Sequence, residues 1–131
     1  MKYYDSSWHP ILNGNNKPMY YSKFQKINTL YDCTTYYFPS MSIYSKGNYT
    51  DTFFSKNIGL KLSFYQSGVT KDSILNSIHG GLIYSYSFFE SKKLQSKTIY
   101  GRHKDEYETN VYFENGKLRV HSYWDKEKKI N

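Results

Sequence analysis

The sequence predicts an all-β domain, a sandwich or barrel of short antiparallel strands, and three observations lead there. Strand formers dominate: there are 16 Tyr and 8 Phe and no Ala in the chain. Aromatic and β-branched side chains fit a pleated, half-buried surface, whereas long helices draw on Ala. Turn signals separate about nine alternating segments at near-regular spacing. The 131 residues suit one domain, 1–131, able to bury enough surface to fold without staples.

Residues 1–18 carry no period, and Pro10, Asn13, Gly14, Asn15, Asn16 and Pro18 break regular structure. They read as an irregular lead-in anchored by Trp8. Strands then follow at 19–26, 29–38, 41–46, 49–55 and 58–65, with Gly47-Asn48 read as a turn. Lys71–Gly80 reads as one short helix: Asp72 as N-cap, Ile74, Leu75 and Ile78 on a common face, Gly80 at the C′ position. Four more strands are expected at 82–89, 95–101, 106–113 and 117–124, and a charged tail at 126–131. No repeat of fixed period is read.

The last two strands form the clearest hairpin. Asn115-Gly116 as a two-residue loop sets Tyr112 opposite Arg119, Val111 opposite Val120, Asn110 opposite His121, Glu108 opposite Tyr123 and Tyr107 opposite Trp124. One face then holds Phe113, Leu118, Val111, Val120, Tyr107 and Trp124. The other holds Tyr112, Arg119, Asn110, His121, Glu108 and Tyr123, with Asp125 just beyond.

Composition excludes several classes. With 26 aromatics the chain is not of the disordered type. Its single cysteine, Cys33, excludes an internal disulfide and a Cys-rich zinc site, and mid-strand it reads as a small buried residue. The four histidines lack metal-ligand spacing, so no metal is expected. No apolar run is long enough to span a bilayer, and Met1-Lys2-Tyr3-Tyr4-Asp5 lacks a signal-peptide core, so a cytoplasmic location is expected. The formal charge of +7 raises nucleic acid as a partner, since basic, aromatic-rich sheets hold single strands. The lysines are scattered, however, and no RNA-binding aromatic motif is present. A tyrosine-rich barrel interior suits a conjugated apolar ligand. On the polar hairpin face Arg119 suits two-point pairing with a carboxylate, and His121, Glu108 and Asp125 suit proton handling.

The stretch from Thr98 to Asp125, with its Tyr107-Glu108-Thr109 strand, turn and closing Trp124-Asp125 pair, resembles the T-type phycobiliprotein lyases. Trp8, then Pro18, then Tyr21-Ser22 is similar to that family's opening. The family's Pro-Tyr-Arg-Gln-Arg strand, the Arg-Gly after Trp-Asp and the closing Trp-Gly segment have no counterpart, as in a compact member of the kind cyanobacterial viruses encode. The resemblance implies a lipocalin-like (calycin) antiparallel barrel of about eight to ten strands. It also implies binding of a phycobilin such as phycoerythrobilin, chaperoned or attached to a cysteine of an apo-phycobiliprotein. Asp125 matches the family's Asp and would bond the pyrrole nitrogens. Arg119 and Arg102 are propionate partners from charge, and Tyr107, Tyr112, Tyr123 and Trp124 would line the pocket. The alternative is a non-enzymatic barrel for single-stranded nucleic acid or another apolar ligand. Without the family's closing strand, an exposed sheet edge favours a homodimer. The run Tyr112-Phe113-Glu114-Asn115-Gly116-Lys117-Leu118 also resembles one MORN-type repeat.

Overall fold

Alternating segments joined by tight turns can return only beside their predecessors, and the fold follows from that. The computed structural model describes residues 2–5, 7–11, 19–38, 40–79, 81–101 and 106–124, and the backbone of 129–130. They form eleven strands: β1 (Lys2–Tyr4), β2 (Tyr20–Ile27), β3 (Leu30–Tyr37), β4 (Ile43–Tyr49), β5 (Asn57–Phe64), β6 (Thr70–Asn76), β7 (Leu82–Phe88), β8 (Leu94–Tyr100), β9 (Tyr107–Tyr112), β10 (Leu118–Trp124) and β11 (Lys129–Ile130). All belong to one antiparallel sheet, in chain order. The segment read as an irregular lead-in supplies β1, and the segment read as a tail supplies β11.

The expected barrel is not formed. Among the described residues the two end strands do not meet: β1 pairs with β2 and bridges to Pro10 through Tyr4, β11 pairs with β10, and strands touch only their neighbours in the sheet. Closure needs a staggered ladder between first and last strands, and end strands of three and two residues offer few groups for one. Alternation is identical in open and closed sheets, so the pattern could not distinguish them.

The expected helix at 71–80 is strand β6, and the described residues contain no helix. Ile74 and Leu75 point to opposite faces, and the backbone pairs with both β5 and β7. Two ladders outweigh the weak helical signal of so short a run; Gly80 lies outside the described residues. Gly47-Asn48 is not a turn but the interior of β4, and 50–56 is a loop. A Cβ at Gly47 would meet the Asn57 amide nitrogen at 2.9 Å, so glycine is there for space.

Paired residues share a face, and the register divides the sheet. One face carries a row of small polar side chains: Ser22, Thr35, Ser45, Ser63, Asp72, Ser87 and Ser96. Over β5–β8 the opposite face carries an apolar row, Leu60, Leu75, Tyr84 and Ile99. Among the described residues the buried side chains are Tyr4, Tyr21, Ser22, Cys33, Thr35, Ser45 and Tyr49, all in β1–β4, and none after Tyr49 is buried. That corner is covered on the hydroxyl face by two loops. Trp8, the expected anchor, stacks on Tyr20 at 4.1 Å and packs on Tyr4 and Tyr44. Phe54 packs on Tyr4, Phe24 and Tyr49. On the same face Ser22 Oγ and Thr35 Oγ1 bond at 2.7 Å, so each buried hydroxyl satisfies the other. Lys2 Nζ donates to the Thr52 carbonyl and hydroxyl, both at 3.0 Å, and lies over the Phe53 ring, pinning β1 to the second loop.

A repeat that the sequence reading missed appears in the turns. The amides of Tyr65, Phe89 and Phe113 donate to the carbonyls of Val69, Lys93 and Lys117, and their carbonyls accept from Gly68, Lys92 and Gly116. The three hairpins stand 24 residues apart. Each has a three-residue loop whose last residue is left-handed: Gly68 (φ 89°), Lys92 (φ 73°) and Gly116 (φ 89°), the geometry of a turn followed by a glycine bulge. Asn115-Gly116 is therefore part of a three-residue loop, not a two-residue one. From Val111–Val120 onward the register is as expected, but Leu118 stands opposite Tyr112 and Arg119 is the extra residue of a bulge. Successive hairpins are also stapled: the Tyr37 hydroxyl donates to the Phe64 carbonyl and the Tyr65 hydroxyl to that of Phe88.

A non-glycine residue in the left-handed region costs about 1–2 kcal/mol. Lys92→Gly is therefore expected to stabilise the fold by about 1 kcal/mol, and Gly116→Ala to destabilise it by at least as much, both read by urea unfolding. Phe89 occupies the position of Tyr65 but lacks its hydroxyl, so Phe89→Tyr is expected to add a staple to the Tyr112 carbonyl and about 0.5–1 kcal/mol. An unchanged midpoint would show that the third hairpin is not held as the first two are.

Candidate functional site

The two covering loops are built alike. Asp5 Oδ1 accepts from the amides of Ser7 and His9 at 2.8 and 3.0 Å; Asp51 Oδ1 accepts from those of Phe53 and Ser55 at 2.8 and 3.3 Å. Three residues after each aspartate stands an aromatic in the left-handed region, Trp8 (φ 64°) and Phe54 (φ 59°). Bulky residues rarely adopt that conformation, and it persists only where the surroundings impose it. Here the aspartate turn and the aromatic packing do so. These bonds, joined at Asp51 by one from the Ser55 hydroxyl, hold both carboxyls below their usual range, the His9 amide contributing most at Asp5 and the Ser55 hydroxyl most at Asp51.

Between these loops and the hydroxyl face lies a cleft of about 360 Å³ lined by Trp8, Thr35, Tyr44, Ser45, Tyr49, Phe54, Asn57 and Lys61. β3 supplies Thr35, β4 supplies Tyr44, Ser45 and Tyr49, and β5 supplies Asn57 and Lys61. Asn57 is held by donating to the Asn48 carbonyl and accepting from the Asn76 amide. The arrangement offers apolar aromatic walls, short polar side chains at the floor and one lysine ammonium. Burial pushes the Tyr44 hydroxyl up, and pushes the Tyr49 hydroxyl up to about 12, with the neighbouring Cys33 adding to it. Cys33 is a free, buried thiol, as expected, and burial raises it too.

The sequence-predicted constellation lies elsewhere, on β9 and β10, and it is split. Tyr107 and Trp124 are opposite and stack, with centroids 6.4 Å apart. Glu108, His121 and Tyr123 lie on the other face. His121 Nδ1 bonds Asn110 Oδ1 and stands 3.8 Å from a Glu108 oxygen; the Tyr123 hydroxyl donates to Glu106. Tyr112 stands opposite Leu118, and Arg119 lies over the Phe113 ring at 5.7 Å. Glu108, His121, Arg119 and Trp124 are all exposed. Asp125 and Arg102 lie outside the described residues. What sequence reading missed is the cleft, whose signal was the recurring Asp-x-x-aromatic unit at Asp5/Trp8 and Asp51/Phe54.

Comparison with protein-family models, with curated proteins and with solved structures finds no match.

The Tyr49 hydroxyl has a folded pKa above its ordinary value near 10, so the unfolded chain loses that proton first. Its contribution to stability is complete below pH 10 and is lost as pH rises toward 12, by about 1.4 kcal/mol per unit. Alkaline titration of tyrosinate absorbance is expected to show a last component that Tyr49→Phe removes.

Proposed function

We propose that the protein is a non-enzymatic binding module for a planar, conjugated, anionic small molecule taken up in the cleft beside Trp8 and Phe54. The observation that supports this is the lining of that cleft: four aromatic side chains as walls and Lys61 as its cation. Aromatic walls receive flat apolar rings while a few polar groups fix orientation, and a lysine ammonium pairs with a carboxylate. A phycobilin, implied by the T-type resemblance, has this chemistry in its conjugated rings and propionates. An open sheet covers one side of such a ligand and leaves the other accessible. That favours a chaperone that captures the pigment and hands it to an apo-phycobiliprotein over a closed container. If the pigment joins the acceptor thiol while held there, the module contributes positioning. The groups suited to proton transfer, Glu108 and His121, are on the far strands and exposed.

Absorbance titration with phycoerythrobilin tests this. The expected result is a sharpened, red-shifted band that co-elutes with the protein and survives high salt. Lys61→Met is expected to weaken binding about tenfold, the loss of one charge-assisted contact. A spectrum identical to free pigment overturns the bilin assignment. Binding of a single-stranded oligonucleotide that collapses with salt would assign the aromatic-lysine cleft to nucleic acid instead.

A further inference from the structure

We propose that the apolar face of β5–β8 is a homodimer interface, in which a second copy of this chain supplies the layer that the sheet lacks. This face is opposite the cleft, so the inference is independent of the ligand. Leu60, Leu75, Tyr84 and Ile99 form one apolar row across four strands, with Leu62, Ser73, Tyr86 and Lys97 in the next. None is buried, and Leu60 and Ile99 are 44% and 39% exposed. Domains bury such a face against a second layer. Among the described residues nothing does so here: strands touch only sheet neighbours, and the rings of Trp8 and Phe54 pack on the opposite face.

The area fits a second copy. The chain exposes 9051 Å², whereas a folded monomer of 15.6 kDa exposes about 7,200 Å². The surplus of about 1,800 Å², spread over both faces of the single layer, leaves room on one face for the roughly 800 Å² per partner of a standard interface. The edge route is poor, because edge strands of three and two residues are how sheets avoid edge-to-edge pairing. Charge lies at the two sides of the face, Lys46 opposite Leu62 and Lys97 next to the Ile99–Glu108 pair, so the apolar row between them can meet its copy without like charges at its centre. Two copies also share one twist, the condition for aligned packing of sheets about 10 Å apart.

Sedimentation equilibrium of the full chain tests this, with twice the monomer mass expected. Leu60→Lys and Ile99→Lys replace side chains already well exposed, so far-UV circular dichroism should stay unchanged while dimer affinity falls about a hundredfold. Ser96→Lys, on the hydroxyl face, should leave the dimer intact. Oxidative footprinting of wild type, which needs no variant, should show Tyr84 and Tyr86 protected as concentration rises. A wild-type monomer at the highest soluble concentration overturns the proposal, and so does a dimer that survives both substitutions.

Discussion

The fold depends on the closing of two loops over one corner of a single sheet. Trp8 on Tyr20 and Phe54 on Tyr49 shield β2–β4, and behind them the buried Ser22 and Thr35 hydroxyls bond to each other. A sheet this wide is normally held by a second layer along its whole extent. Here the dry part is one corner, and the remaining strands are templated outward from it by backbone ladders and turn geometry. The order of the far strands therefore rests on the near ones, and burial falls steeply along the chain.

The strands were legible because strict alternation survives in almost every one of them: Tyr84, Ser85, Tyr86 and Ser87 announce a two-faced strand without any tertiary information. The lower level of detail was harder. Ile74, Leu75 and Ile78 satisfy a helical spacing as well as a strand spacing, and only pairing on both sides decides between them. Gly47 looked like a turn because glycine usually marks one, yet its reason is the Asn57 side chain on the neighbouring strand β5, a contact that only the pairing of β4 with β5 creates. Closure was illegible in principle, because an edge strand and a closing strand carry the same pattern. The candidate site was missed for a different reason. Reading sought rare charged residues on the cleanest hairpin, Arg119, His121 and Glu108, and the structure leaves those on an open surface. The aromatics of the cleft resembled generic core, and only the loop geometry around Trp8 and Phe54 sets them apart.

The two faces divide the work by chemistry. The hydroxyl face with its aromatic loops is suited to a ligand, because short polar side chains leave space above the sheet and the loops supply walls. The apolar face is suited to a surface, because its leucine and tyrosine row runs unburied across four strands, with a recess at its turn end beside Leu62, Ser73 and Phe88. Period-two alternation makes this possible within one layer, since each strand contributes to both faces and a change on one need not disturb the other.

The 24-residue hairpin has a consequence for how this sheet varies. A hairpin adds two strands, and two is the one increment that preserves both strand direction and facing: an inserted or deleted unit returns the chain to the same edge with the same side chains up. Width is thus adjustable in whole hairpins at the far end without rebuilding the corner where the loops close. The sheet can lengthen by duplication as a ruler does, one graduation at a time, while its origin stays fixed at Trp8.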